Sequence, residues 1–476
     1  MLLYNCDLII PTQNRILVFA GADAVRKQEW PSAEKEYISL CLENKQNVIL
    51  LNRFSQFDIL AIPDRAKTGD ALLEDWRCCG FDIHEIACRN KWQELVIDDR
   101  AGEPAWVEAL AEGIALSNYQ FLKYHSKAGE KKHSFRKLGI LNGNPENIRK
   151  INARVQAVNI TRDLVNEPVS YLNAPQLGTD LAALCHETGI SVEILDKTQI
   201  ETLRMGGLLA VNRGSIDPPR FIIMSWEPEH AVNQEPLILV GKGVTFDTGG
   251  LSIKPTPGSM DEMKCDMAGA AAVAGTLIGM ARTGMPVRTI GLIPATDNRP
   301  DGNAYAPGDV IRMFNNATVE VLNCDAEGRL ILADALSYAA KYQPGLVIDL
   351  ATLTGSAQMA VGPQASVIMG TAPDPVFDQL IRSGFAVHER LVRFPLWEDY
   401  GKLLDSEIAD MKNIGGRNAG AITAGKFLER FTGYPWIHID IAGTAFLTTR
   451  DSYRGIGGTG TGVRLLLDFI SKYYQL

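Results

Sequence analysis

Three short stretches set charged side chains among glycines and apolar residues: 240–254 (VGKGVTFDTGGLSIK), 260–269 (MDEMKCDMAG) and 323–330 (NCDAEGRL). Among their carboxylates, Asp247, Asp266, Asp325 and Glu327 are four that stand near apolar residues or glycines. A carboxylate in apolar surroundings is costly unless it is paired or metal-bound. Oxygen donors suit hard or borderline divalent cations such as Mg²⁺, Mn²⁺ and Zn²⁺, and four negative charges balance two of them. Two such ions roughly 3.5–4 Å apart can share a hydroxide and polarise a carbonyl together. Lys242 and Lys254 lie among the acids. Each could pair with a carboxylate, ligate a metal once deprotonated, or stabilise an oxyanion while protonated. Arg329 begins the helix expected after the third stretch, where a guanidinium and free backbone N–H groups suit a small anion.

Taken singly, each of these residues has an ordinary explanation. Asp266 before a helix reads as an N-cap, and Asp325 and Glu327 read as turn and capping residues. The two lysines read as surface residues and Gly249-Gly250 as a turn. Cys265 and Cys324, which flank candidate ligands, read as small buried fillers. The seven histidines show no HExxH or paired spacing, and His438 reads as a buried structural residue. Only the three stretches together point to a metal centre. Gly241 and Gly243 lack the third glycine of a dinucleotide fingerprint, and neither GxxxxGK[ST] nor GxSxG occurs.

The elements that must position these residues follow from periodicity. From about residue 175, apolar strand-like runs alternate with helical patterns: strands at 236–240, 288–295, 319–323, 346–352 and 436–441, and helices at 268–282 and 330–342. Such alternation implies a sheet with helices on both faces, with ligands beyond the carboxyl ends of its strands. Residues 146–167 carry Ile148, Ile151, Val155, Val158, Ile160 and Leu164 at helical spacing, which predicts a connecting helix ended by Pro168 and Pro175. Residues 1–150 are mixed, with a strand at 47–51, a helix at 106–118, four tryptophans and no metal-ligand or nucleophile constellation. Residues 123–137, rich in Lys, His and Ser, read as an exposed loop.

Bulk properties narrow the classes. A chain of 476 residues exceeds what one core usually supports, so two domains are expected. Its composition, 46% apolar and 22% charged, is that of an ordinary globular protein. The net charge of −9 without a basic cluster leaves no nucleic-acid footprint. Eight scattered cysteines without a CxxC pair read as reduced thiols. The first thirteen residues, with Asp7 and no basic n-region, do not read as a secretory signal. No membrane span and a cytoplasmic location are expected.

The three stretches resemble the leucyl aminopeptidase family, dinuclear metallopeptidases also called cytosol aminopeptidases. The family signature NTDAEGRL stands here as NCDAEGRL at 323–330, with Cys324 in place of Thr. The likeness extends to RDLVNEP (162–168), GKGVTFDTGGLSIKP (241–255), CDMAGAA (265–271), NAYAPGDV (303–310), DLATLTG (349–355), AGAITAGKFL (419–428) and WIHIDIAGTA (436–445). It thus covers residues from about 160 to 465. The chain departs from the family pattern near Met263, where the segment after Lys254 is one residue longer. It departs again at DNRPDG (297–302) and at Ala445, which leaves side-chain preference open.

The resemblance implies an α/β fold of two domains. A smaller N-terminal α/β domain (1–145, packing or assembly) would be joined by a linker helix (146–175) to a larger catalytic α/β domain (176–476), whose central mixed sheet is flanked by helices. It implies hydrolysis of an N-terminal residue, leucine or similar, from peptides. Two divalent ions, Mn²⁺ or Zn²⁺ with Mg²⁺ also suited, would be held with Asp247 and Glu327 bridging. Lys242 and Asp266 would complete one position and Asp325 the other. Lys254 would stabilise the oxyanion, and Arg329 would hold bicarbonate as general base, touched also by the Leu353 backbone. Met263, Asn323, Thr352, Leu353, Gly355 and Ala442 would contact substrate. A homo-hexamer of two trimers is implied. The alternative is a non-catalytic binding or scaffold homologue of the same fold; all five ligand positions, Lys254 and Arg329 being present weighs against it.

Overall fold

Runs of Val, Ile and Leu ending in glycine or a turn residue form the strands in both halves of the chain. The computed structural model describes residues 1–10, 12–63 and 66–476. The chain divides into two units, residues 1–156 with 449–455, and residues 157–448 with 456–476. The helix predicted over 146–167 is Pro145–Asn166.

In the first unit, six strands form one sheet in the order Leu2–Cys6, Lys137–Leu141, Glu94–Asp99, Arg15–Val18, Phe57–Ala61, Val48–Asn52. All neighbours run parallel except the last pair, which is antiparallel. Helix Gly69–Arg89 packs on helix Pro104–Ser117 so closely that a Cβ on Gly113 would lie 2.2 Å from the Arg77 carbonyl oxygen. Residues 123–137 are largely exposed, as expected, with two local differences. They contain a short helix, Ala128–Lys131, and Phe135 is buried. One aromatic in a polar stretch is enough to anchor it, because burial of a Phe outweighs the solvation preference of its neighbours.

The second unit has a mixed sheet ordered Leu391–Arg393, Ser366–Gly370, Trp436–Asp440, Leu346–Ala351, Leu237–Gly241, Thr289–Asn298, Arg220–Trp226, Ser191–Leu195, with Gly243–Asp247 paired beside Thr289–Asn298. Strands Trp436–Asp440, Leu346–Ala351, Leu237–Gly241 and Thr289–Asn298 are mutually parallel. Residue alternation gives each face its own helix. Ile238, Val240, Ile290 and Leu292 share a core with Leu330–Ala339 of helix Gly328–Ala339. Gly291, between Ile290 and Leu292, turns the other way and meets Val273 and Leu277 of helix Ala268–Thr283. A strand expected over 319–323 is confined to Thr318–Glu320. The chain then turns away, because the Leu322 N–H donates to Asn413 Oδ1 at 2.8 Å rather than to a strand partner.

Candidate metal centre and active site

Every parallel strand of the central sheet delivers a polar group at its carboxyl end, the end where open α/β sheets bind ligands. Asp247 and Asn298 are the last residues of their strands, and Lys242 and Thr352 directly follow theirs. Glu327 stands immediately before helix Gly328–Ala339, and Asp266 follows a 3₁₀ turn, Met260–Cys265. Asp266 is not the N-cap of the next helix. Met267 holds that place, and no side chain caps it.

Lys242 is buried among acids. Its Nζ lies 2.7 Å from Asp266 Oδ1 and 2.9 Å from Glu327 Oε1, and it donates to the Thr352 carbonyl at 2.8 Å. Burial pulls its pKa down, but Asp266, Glu327 and Asp247 outweigh that and hold it above the ordinary lysine value. Room for this side chain requires glycine at 328, where a Cβ would fall 2.4 Å from Lys242 Cε. Lys254 Nζ lies 3.0 Å from Asp247 Oδ2 and pairs with Asp325. Its pKa is likewise raised, with Asp247, Glu327 and Asp325 prevailing over burial. Neither lysine is a surface residue.

Asp247 Oδ1 accepts from the Gly249 N–H and from Asn298 Nδ2, each at 2.8 Å. The Gly249 backbone has φ +84°, and a Cβ there would lie 2.5 Å from the Ser252 carbonyl oxygen, so the turn that aims Asp247 admits only glycine. Asp266 Oδ1 also accepts from Thr352 Oγ1 at 2.7 Å. Burial, then the charges of Asp247 and Glu327, push the Asp325 carboxyl up to about 7. Burial raises Asp247 and Asp266 as well. Glu327 alone among the four is lowered, since Lys242 and Lys254 overcome its burial.

These four carboxylates face two ammonium groups, so negative charge is in excess. Oxygens of Asp247, Asp325 and Glu327 lie within 4.8 Å of one another. Asp266 Oδ2 and Glu327 Oε2 are buried with no hydrogen-bond partner. Buried anionic oxygens without donors are expensive. A divalent cation removes that cost, so the donor set fits the implied metal ions.

Arg329 is buried. Its Nη1 donates to the Asn413 carbonyl at 2.7 Å, while its Nε has no partner. Burial lowers its pKa to about 10. The Leu353 N–H donates to Asp440 Oδ1 at 3.2 Å and is thus engaged within the protein. Asp440 also accepts from Thr354 Oγ1 at 2.7 Å and from the Ala442 N–H at 3.1 Å, which gathers Leu353 and Ala442 at one edge. Met263 lies on the 3₁₀ turn before Asp266, and Gly355 opens the short helix Gly355–Val361. Asn323 Oδ1 accepts the Asp325 N–H at 2.8 Å, so that oxygen shapes the turn. His438 is buried, with Nδ1 2.6 Å from Asp349 Oδ1.

Three residues that sequence reasoning had not placed in the site support it. Asn298 bonds Asp247 and the Cys324 carbonyl, at 2.8 and 3.0 Å. Asn413 Nδ2 donates to the Asn323 carbonyl at 2.7 Å while its own carbonyl holds Arg329. Asp440 is the third. Asp440 falls inside a matched motif and Asn298 inside the DNRPDG segment, but Asn413 stands in no motif and carried no signal.

The profile of the cytosol aminopeptidase family's catalytic domain matches residues 159–467. A probable cytosol aminopeptidase of Syntrophotalea carbinolica is 45% identical over 375 residues, covering 77% of this chain and 75% of its own. One from Chlorobium luteolum is 42% identical over 439 residues, 85% of each chain. Among solved structures, a mutant of tomato leucine aminopeptidase superposes with a TM-score of 0.87 at 26% identity, covering 99% of this chain and 96% of its own. The bottromycin maturation enzyme BotP in complex with Mn superposes with a TM-score of 0.86 at 29% identity, covering 97% and 99%. With the sheet, the acidic centre and these matches in agreement, the chain belongs to the cytosol aminopeptidase family and is a metal-dependent aminopeptidase, a hydrolase acting on peptides.

Proposed function

We propose that this aminopeptidase removes leucine or a similar apolar residue from peptide N-termini with the help of two divalent metal ions. The observation that carries the reading is the buried excess of carboxylate, with oxygens of Asp247, Asp325 and Glu327 within 4.8 Å of one another. Asp247 and Glu327 would bridge the two ions, Lys242 and Asp266 would complete one position, and Asp325 the other. Mn²⁺ and Zn²⁺ both suit these donors, and Mg²⁺ is compatible. When bound, such a pair supplies Lewis-acid polarisation of a carbonyl and an acidified water.

The remaining work falls to the chain. Lys242 must shed its proton to act as a ligand, because only a neutral amine has a lone pair to give. Asp266 would receive the peptide's free N-terminal amine. Lys254 keeps its proton, as its raised pKa favours, and would donate to the oxygen of the scissile carbonyl as negative charge develops there. The unpartnered Nε of Arg329 would hold a bicarbonate ion, which would supply a general base. Leu353 would join that anion only by releasing Asp440. Met263, Asn323, Thr352, Gly355 and Ala442 would border the bound residue.

We read residues 1–145 as serving packing and assembly, 146–175 as the linker and 176–476 as the catalytic part. A cytoplasmic hexamer of two trimers follows from the family resemblance. No described helix is long and apolar enough to cross a membrane. A panel of dipeptides and aminoacyl-anilides, assayed with each metal in turn, tests the reading. Preference for leucine-like N-termini supports it, and equal rates on N-terminally blocked peptides would reject it.

A further inference from the structure

Sequence spacing offers no metal constellation before residue 150, yet the first unit gathers one. His84 and Cys88 are four residues apart on helix Gly69–Arg89, so they share a face. The Cys88 Sγ lies 3.4 Å from His84 Nε2 and 4.0 Å from its Nδ1. His133, from a distant part of the chain, brings its ring to 4.9 Å from the His84 ring, centroid to centroid. One ligand atom from each of the three lies within 4.8 Å of the other two.

The surroundings orient both rings. Asn118 Oδ1 is 3.0 Å from His84 Nε2. A carbonyl oxygen only accepts, so Nε2 carries the proton and Nδ1 presents its lone pair. The Asn118 backbone also hydrogen-bonds the His133 ring. His133 Nδ1 is buried with no partner. The His133 N–H donates to Gln120 Oε1 at 2.8 Å, and Gln120 Nε2 donates to the Lys131 carbonyl at 2.9 Å, which fixes the segment that carries the ring. A carbonyl or amide behind each ligating imidazole is the usual support of a protein metal site. Burial lowers the pKa of both histidines, so neither ring must lose a proton to bind a cation.

We propose that His84, Cys88 and His133 bind one borderline-soft divalent cation of the Zn²⁺ class, at a site that shares no residue with the carboxylate centre. Two imidazoles and a thiolate select Zn²⁺ over Mg²⁺ or Mn²⁺, which favour oxygen. Tetrahedral zinc sets its ligand atoms roughly 3.3–3.8 Å apart, so small side-chain rotations from the observed spacing suffice. The thiol proton leaves to solvent as the cation binds. The fourth position falls to water, since Glu85 Oε1, 3.8 Å from His84 Nδ1, already pairs with Arg450 at 2.8 Å. The bound ion ties helix Gly69–Arg89 to the segment before strand Lys137–Leu141 and so stiffens the first unit.

The test uses the whole protein with its peptidase metals supplied as Mn²⁺, then titrated with Zn²⁺ or Co²⁺. Wild type should retain about one additional zinc per chain through gel filtration. Its cobalt form should show a thiolate-to-cobalt charge-transfer band in the near ultraviolet. Cys88→Ser should lose both signals and keep its Mn²⁺-supported peptidase activity. His133→Gln should weaken zinc retention roughly 10-fold or more. A cobalt band unchanged by Cys88→Ser, or equal zinc content in wild type and variant, overturns the proposal. Should the variants not fold, alkylation of wild-type Cys88 decides: protection by Zn²⁺ supports the site, and equal labelling with and without Zn²⁺ overturns it.

Discussion

The two units each bury ionised groups, and they do so by opposite rules. In the first, Glu112 is almost wholly buried, and its two oxygens meet Arg77 Nε at 2.8 Å and Arg154 Nε at 2.6 Å. Guanidinium charge equals or exceeds carboxylate charge, and a different guanidinium satisfies each oxygen. In the second, four carboxylates face two lysines, and oxygens of Asp266 and Glu327 go without donors. A closed cluster like the first serves only folding. One left short of positive charge is a receptor for cations, and the fold tolerates the deficit because function fills it.

This contrast can be broken or sharpened. The largest effect should come from exhaustive dialysis against a chelator, which should abolish peptide hydrolysis while far-ultraviolet circular dichroism stays unchanged, with activity returning on addition of Mn²⁺ or Zn²⁺. Full activity in metal-free protein would remove the receptor reading altogether. Next, Glu327→Gln should lower kcat by about 10³-fold or more, the equivalent of several kcal/mol of lost charge stabilisation. Metal analysis should find at least one ion weakened. Glu112→Ala should act the other way. It should cost roughly 3–5 kcal/mol of stability, as expected when one partner of a buried pair is removed, and leave kcat of the folded fraction unchanged. Urea unfolding beside steady-state kinetics separates the two. Lys254→Ala should reduce kcat by roughly 10²–10³-fold, the scale of one oxyanion donor. Near-normal turnover would return Lys254 to a charge-balancing role.

The smallest effect concerns Asp334, buried on helix Gly328–Ala339 and bonded at 2.9 Å by the backbone N–H groups of Leu208 and Phe314. Burial pushes its carboxyl up to about 7. A raised folded-state pKa means that the folded protein holds the proton more tightly than the unfolded chain. The stability this gives is complete below the ordinary carboxylate pKa and is lost as pH climbs to about 7. Asp334→Asn cannot titrate, so the stability gap between wild type and variant should narrow over that window. A gap that widens with pH would mean an ionised Asp334 held by backbone amides.

The sequence made the catalytic centre readable because its donors sit in contiguous stretches where a strand ends in a glycine turn. Asp247 is an example: Gly249, two residues on, forms the turn that aims it. Asn413 was invisible for the converse reason. It acts through Asn323 and Arg329, far away in sequence, and its own surroundings follow no motif. His84 and Cys88 stood at helical spacing, but only the fold brings His133 to them. The strand expected over 319–323 overran its true end because apolar content cannot reveal that Asn413 captures the Leu322 N–H. The α/β architecture itself was legible, since alternation of strand and helix survives such local errors.

Asp440 holds Leu353, Thr354 and Ala442 at once, and they belong to the loops that leave the adjacent strands Leu346–Ala351 and Trp436–Asp440. Those loops therefore behave as a single clasp. Variation at either one reaches the other through this single carboxylate.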